Sequence, residues 1–133
     1  MILRTQEDFR KYEESNGFLS RNRIHICSVS PERSVVSAAV SPEGCNAAGF
    51  VHGGLLMLLV DVAASQTAMA DGGQYVTQNP FVSFLSNVKQ GTLTAESETV
   101  RRGKKTVLVH VRVFSEERKL LADATVTMMR MGQ

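Results

Sequence analysis

Asn46-Ala-Ala-Gly-Phe-Val-His52-Gly-Gly-Leu-Leu-Met-Leu-Leu-Val-Asp61-Val-Ala-Ala-Ser65 joins a polar, glycine-bearing turn to the most apolar segment of the chain. From Val51 to Ala70, Leu, Met and Ala recur with little polar interruption and no proline, which predicts a helix starting at about His52. A helix so apolar on every side must be covered over most of its surface. Asp61 lies inside it, and a buried carboxylate without partners is costly, so its presence needs a reason. Catalysis is the reason favoured here. Gly53 and Gly54 at the helix start let another group approach the backbone closely.

Outward from this stretch, 133 residues with 43% apolar content suit one domain, 1–133, able to bury a real core. Fifteen basic against 13 acidic residues, a net charge of +2, is too even for a nucleic-acid binder, which needs a clustered basic face. Any anionic partner is therefore small. Cys27 and Cys45 have no metal-ligand spacing and make no disulfide framework, so a reducing cytoplasm is the expected setting. The acidic N-terminus lacks the layout of a signal or transit peptide. Asp61, Ser65 and Gln66 interrupt the apolar run, which reads as a core helix and not a membrane span.

Upstream, Thr5 with Asp8 forms a capping box for a short helix, with Asn16-Gly17 as its left-handed stop. Ile24–Ser30 and Ser34–Val40 read as two strands around the Pro31-Glu32-Arg33 turn. After the long helix and the Asp71-Gly72-Gly73 stop come four strand-length runs, Tyr75–Val88, Leu93–Arg102, Lys105–Phe114 and Lys119–Met131. In the third, Val107, Val109, Val111 and Val113 fall on one face, as in a sheet with a single fully buried side. A long apolar helix set between strands of one antiparallel sheet implies an α+β domain whose sheet curls around the helix.

The chain resembles the hotdog-fold acyl-CoA thioesterases, most closely the phenylacetate-pathway (PaaI-like) branch. The resemblance rests on an ordered set: Asn46, the His52-Gly53-Gly54 turn six residues later, and Asp61 nine residues beyond the histidine. Thr77, near the start of the next strand, and the basic turn Arg101-Arg102-Gly103-Lys104-Lys105 extend it. Asn79-Pro80 departs from the pattern, and the proline predicts an edge strand or a bulge there. The Asp-x-Asp motif of a neighbouring thioesterase branch and the histidine and later glutamate of the dehydratases are missing, which favours hydrolysis.

The resemblance implies hydrolysis of an acyl- or aryl-CoA without metal or redox cofactor. It assigns Asp61 as general base or nucleophile, Thr77 as the group that orients water, Asn46 as the holder of the thioester and His52 as neighbour of the leaving sulfur. Gly53, whose N–H has no intrahelical partner and sits at the positive end of the helix dipole, suits the oxyanion. Gly54, Ser65, Asn79 and Phe84 are expected to line the substrate site, and Arg101 to Lys105 to follow the CoA nucleotide. Nine helical residues separate His52 and Asp61 by roughly 13 Å, too far for one carbonyl. A second antiparallel helix would bring them together, so the expected assembly is an obligate dimer with shared sites, pairing again into a tetramer. The sequence does not decide between CoA and carrier-protein thioesters, and a non-catalytic acyl-CoA sensor is the rival.

Plainer readings stand beside these. Asp61 could be a capped structural carboxylate, and Arg101 to Lys105 a solvated turn. Ser65 could bond the Asp61 carboxylate, line the acyl pocket, or only allow helix contact. Cys45 reads as a small apolar residue sooner than a nucleophile. His25 and His110 read as surface, and Met57 and Met69 as adaptable filler.

Overall fold

The computed structural model describes residues 2–132. At the N-terminus, Thr5 caps α1 (Gln6–Ser15): its hydroxyl accepts the Asp8 N–H at 3.1 Å, and the Asp8 carboxylate accepts the Thr5 N–H at 3.0 Å. The expected box is present. Asn16 is not a left-handed stop, because its backbone is extended (φ −113°). Its side-chain oxygen instead accepts the Leu19 N–H and starts a second short helix, α2 (Gly17–Arg21). An asparagine followed by glycine satisfies an N-cap as readily as a C-terminal turn. Phe9 seals this region against Leu3 and Ile26.

Six strands follow the expected runs: β1 (Ile24–Val29), β2 (Arg33–Ala39), β3 (Tyr75–Phe84), β4 (Thr92–Arg102), β5 (Thr106–Phe114) and β6 (Leu120–Arg130). They form one antiparallel sheet in the order β1-β2-β4-β5-β6-β3. The long helix α3 (Gly53–Met69) comes between β2 and β3 in the chain and packs against all six strands, so the sheet curls around it. Ala38, Ala95, Ala122 and Ala124 of the sheet share one core with Ala63, Ala64 and Ala68 of the helix, all fully buried. These small residues let helix and sheet approach closely, while Leu56, Leu59 and Val60 supply the larger contacts, each worth about 1.5–3 kcal/mol of burial. Val107, Val109, Val111 and Val113 are fully buried, as their alternation predicts. Among the described residues no helix is long and apolar enough to cross a membrane.

Two bulges decide which side chains reach the inside. In β3 the pairing shifts between Thr77 and Asn79, and in β4 between Thr99 and Arg101. Pro80 lies just past the first, on an edge strand, in agreement with the prediction.

Candidate active site

The turn before α3 is built by its own polar side chains. Asn46 Oδ1 accepts the N–H groups of Ala48 (3.0 Å) and Phe50 (3.1 Å). Two N–H donors identify the atom between them as the oxygen, so the Asn46 amide NH2 is left facing outward as a donor. The turn is tied down from outside too: Asn87 donates to the Val51 carbonyl at 2.9 Å, and the His52 N–H donates to the Gly44 carbonyl at 2.8 Å. His52 is the N-cap of α3, and its Nδ1 accepts the Gly54 N–H at 3.2 Å. An accepting Nδ1 is unprotonated, so the neutral ring carries its proton on Nε2 and presents a donor there. Gly54 is thereby spent on the cap. The Gly53 N–H has no partner among the described residues and stays free at the positive end of the helix. A Cβ on Gly53 would lie 3.8 Å from the Phe84 ring, so Phe84 forms one wall of this turn.

Asp61 lies half-buried two and a half turns further along the helix, about 13 Å away from His52. The Thr77 hydroxyl donates a short hydrogen bond to Asp61 Oδ1. Thr77 Oγ1 also lies 3.5 Å from Met128 Sδ, a contact not foreseen from sequence, as it links residues 51 positions apart. Ser65 does not reach the Asp61 carboxylate; its hydroxyl donates to the Asp61 backbone carbonyl at 2.8 Å, the ordinary bond of a helical serine to the preceding turn. Met57, Leu58, Asp61, Ser65 and Met69 form a half-buried stripe, while all other residues between Leu55 and Ala68 are buried. The carboxylate therefore sits on the one face of α3 that its own sheet leaves uncovered.

The remaining expected residues separate. Asn79 pairs with Thr127, whose neighbours Val126 and Met128 point inward, so Asn79 lies on the outer face of the sheet. The bulge after Thr77 is the cause, since without it residues 77 and 79 would share a face. The β4 bulge acts likewise on the basic turn. It directs Arg102 inward, where its guanidinium donates to the carbonyls of Thr67 (2.8 Å), Ala68 (3.0 Å) and Pro31 (2.9 Å) and pairs with Asp71 at 3.0 Å. Arg102 thus caps the C-terminus of α3 and is not free for a phosphate. Arg101, Lys104 and Lys105 are exposed.

Asp71 gathers this end of the molecule, accepting also from the Gly73 N–H (2.8 Å), Tyr75 hydroxyl (2.6 Å) and Arg130 (2.7 Å). Partial burial raises its pKa, but the hydrogen bonds from Tyr75 and Gly73 and the charges of Arg130 and Arg102 outweigh it, holding the carboxyl below the ordinary aspartate range. Among the described residues no three His, Cys, Asp or Glu side chains gather as a metal site.

The family model of the thioesterase superfamily matches residues 48–122, which span the His52 turn, α3, Thr77 and the basic turn. The chain belongs to the thioesterase superfamily. Among solved thioesterase-fold structures, the Escherichia coli PaaI protein from the phenylacetic acid degradation operon superposes with a TM-score of 0.86 at 24% identity, covering 92% of this chain and 90% of that one. A hypothetical thioesterase of Streptococcus pneumoniae, solved with coenzyme A, has a TM-score of 0.78 and 28% identity over 83% of this chain and 90% of that chain. Variants of the same Streptococcus thioesterase, one Asp→Ala and one Thr→Ala, have also been solved, and their positions are 16 residues apart. A 1,4-dihydroxy-2-naphthoyl-CoA hydrolase of Listeria monocytogenes is 28% identical over 111 residues, 78% of this chain and 87% of that protein. This thioesterase therefore has the hotdog architecture, a curved six-stranded sheet around one long helix.

Proposed function

We propose that this thioester hydrolase acts on acyl-CoA, with Asp61 as the general base or nucleophile and the Gly53 N–H as oxyanion donor. The observation that carries the proposal is the pair Asp61–Thr77 on the uncovered stripe of α3: a carboxylate oriented by a hydroxyl, on an apolar helix, open only where a partner or substrate can reach it. Its 16-residue separation equals that of the Asp and Thr replaced in the Streptococcus variants, and coenzyme A accompanies that protein.

The chemistry requires a nucleophile, a donor for the developing oxyanion and a path for the thiolate. In the general-base form, Asp61 takes a proton from water while Thr77 holds the carboxylate in place. The water oxygen attacks the thioester carbon, and the carbonyl oxygen gains charge facing Gly53 N–H; on collapse the carbon–sulfur bond breaks, the carbonyl re-forms as the free acid, and the proton taken by Asp61 passes to the departing thiolate. One preorganised donor of this kind is worth about 3 kcal/mol in the transition state. Asn46 NH2 and His52 Nε2–H, both oriented by their own backbone bonds, are donors for the thioester oxygen and the departing sulfur.

Since the two halves lie about 12–13 Å apart along one helix, a site needs two chains. Asp61 of one protomer would face the His52-Gly53 turn of its partner across paired helices. The edge strand β3 and the residue after it expose Val76, Phe81, Phe84 and Leu85, an apolar margin fitted to pairing with a second copy.

A thiol-release assay over short, medium, long and aromatic acyl-CoAs tests the proposal. Asp61→Asn is expected to lower kcat about 10²–10⁴-fold with little change in CoA binding. Tight binding with no turnover of any thioester by the wild type would instead make the protein a sensor.

A further inference from the structure

Thr77 has one hydroxyl proton and two acceptors beside it. Asp61 Oδ1 takes the proton in a short hydrogen bond, and Met128 Sδ lies 3.5 Å from the same hydroxyl oxygen. Met128 is 1% exposed and stands directly opposite Thr77 in the β3–β6 pairing, at the last register position before the bulge. On its other side it pairs with the fully buried Val107 of β5. Cross-strand partners share a face of the sheet, so Thr77, Met128 and Val107 form one row on the face that α3 covers. Methionine is an adaptable side chain in most cores, but this one is held between two strands in the same core as the helix. Asp61 Oδ2, by contrast, has no hydrogen-bond partner among the described residues.

We propose that Met128 is a positioning residue for the Asp61 site: it backs the Thr77 hydroxyl and leaves the proton with Asp61 Oδ1. The inference rests on the reading of Asp61 and Thr77 as catalytic. Thioether sulfur is a weak acceptor, whereas a hydrogen bond to a carboxylate is charge-assisted and roughly twice as strong as a neutral one. The sulfur therefore fills the space behind the hydroxyl without competing for its proton. An oxygen acceptor in the same place would compete, and a shorter side chain would leave a gap into which the hydroxyl can turn. With Oδ1 held by Thr77, the carboxylate is fixed and Oδ2 is the oxygen left for the proton of the attacking water. Met128 acts through Thr77 alone and stands outside the reacting atoms.

The test measures kcat and KM for thiol release from butyryl-CoA, octanoyl-CoA and benzoyl-CoA. Met128→Leu, Met128→Gln and Met128→Val are each made with Thr77 intact and in a Thr77→Val background, beside Asp61→Asn. Met128→Leu, of similar bulk and with no acceptor, should keep kcat within about threefold of wild type. Met128→Gln, whose amide oxygen draws the Thr77 proton away, should lower kcat about tenfold with KM unchanged, and Met128→Val, which leaves the gap, about fivefold. In the Thr77→Val background neither substitution should lower kcat further, because no hydroxyl is left to misplace. Met128→Val supplies the answer should the glutamine prevent folding. Wild-type kcat in Met128→Val, or the same loss with and without the Thr77 hydroxyl, overturns the proposal and makes Met128 ordinary core. Loss of turnover in Asp61→Asn and Thr77→Val, beside wild-type kcat in the folded Met128 variants, removes only the role of Met128. Undiminished turnover in Asp61→Asn, or no release from any of the three thioesters by wild type, refutes the catalytic reading and takes the role of Met128 with it.

Discussion

His52 does two jobs that substitution can separate. Its Nδ1 caps α3 and its Nε2–H points away as a donor. Asparagine is a good N-cap with no imidazole, so His52→Asn should keep thermal stability and still lose turnover. His52→Ala should lose turnover and also about 1 kcal/mol of stability, from the missing cap. Denaturant unfolding and thiol release measured on both variants check this; equal stability of the two would mean that the Nδ1 bond contributes nothing. Asp61 shows how far a single residue can be read from sequence. That a carboxylate on an apolar helix needs a partner was legible, and Thr77 was named through the family resemblance. Met128 was not, because only the β3–β6 pairing brings its sulfur beside the threonine.

At the scale of elements, β4 and its turn hold the sharpest difference between expectation and structure. Five neighbouring residues, Arg101 to Lys105, read as one basic surface, yet the bulge splits off Arg102 as the cap of α3. Arg102→Ala should therefore cost roughly 2–3 kcal/mol, because it leaves buried helix carbonyls and a carboxylate short of charged donors. Arg101→Ala and Lys104→Ala should change stability by less than about 0.5 kcal/mol, and should weaken CoA affinity in a salt-dependent way if the turn follows the nucleotide. Unfolding curves and CoA titrations at two salt concentrations separate the groups.

The same cluster predicts a pH response. Asp71 has its folded pKa held down, so its stabilising contribution is complete above the unfolded value, about 4, and is lost as pH falls through the folded one. Asp71→Asn should be less stable than wild type near neutrality and lose less on acidification below about pH 4. Thermal melts from neutral to about pH 3 read this difference. Parallel acid limbs for the two proteins would remove Asp71 from the account.

For the whole molecule, the decisive question is whether one chain holds a complete site. Asp61 and the His52-Gly53 turn lie about 12–13 Å apart along one rigid helix, so no side-chain motion within a protomer brings them to one carbonyl. Mixing inactive Asp61→Asn chains with inactive His52→Ala chains, after dissociation and reassembly, should restore up to half of the sites in each mixed dimer. Failure of such heterodimers to regain activity would place the whole site in one chain.

The sequence by itself determined the long helix and the six strands, which are written in local terms of hydrophobic period and turn residues, while the ordered set from Asn46 to Thr77 was named through the family resemblance. It also set the buried face of β5, because strict alternation leaves one choice. Only the tertiary structure decided which neighbours of those residues point inward. The bulges at Thr77/Asn79 and Thr99/Arg101 turn Asn79 out and Arg102 in. A bulge depends on register with a distant strand, and a one-residue shift moves every following side chain to the other face without altering a local pattern.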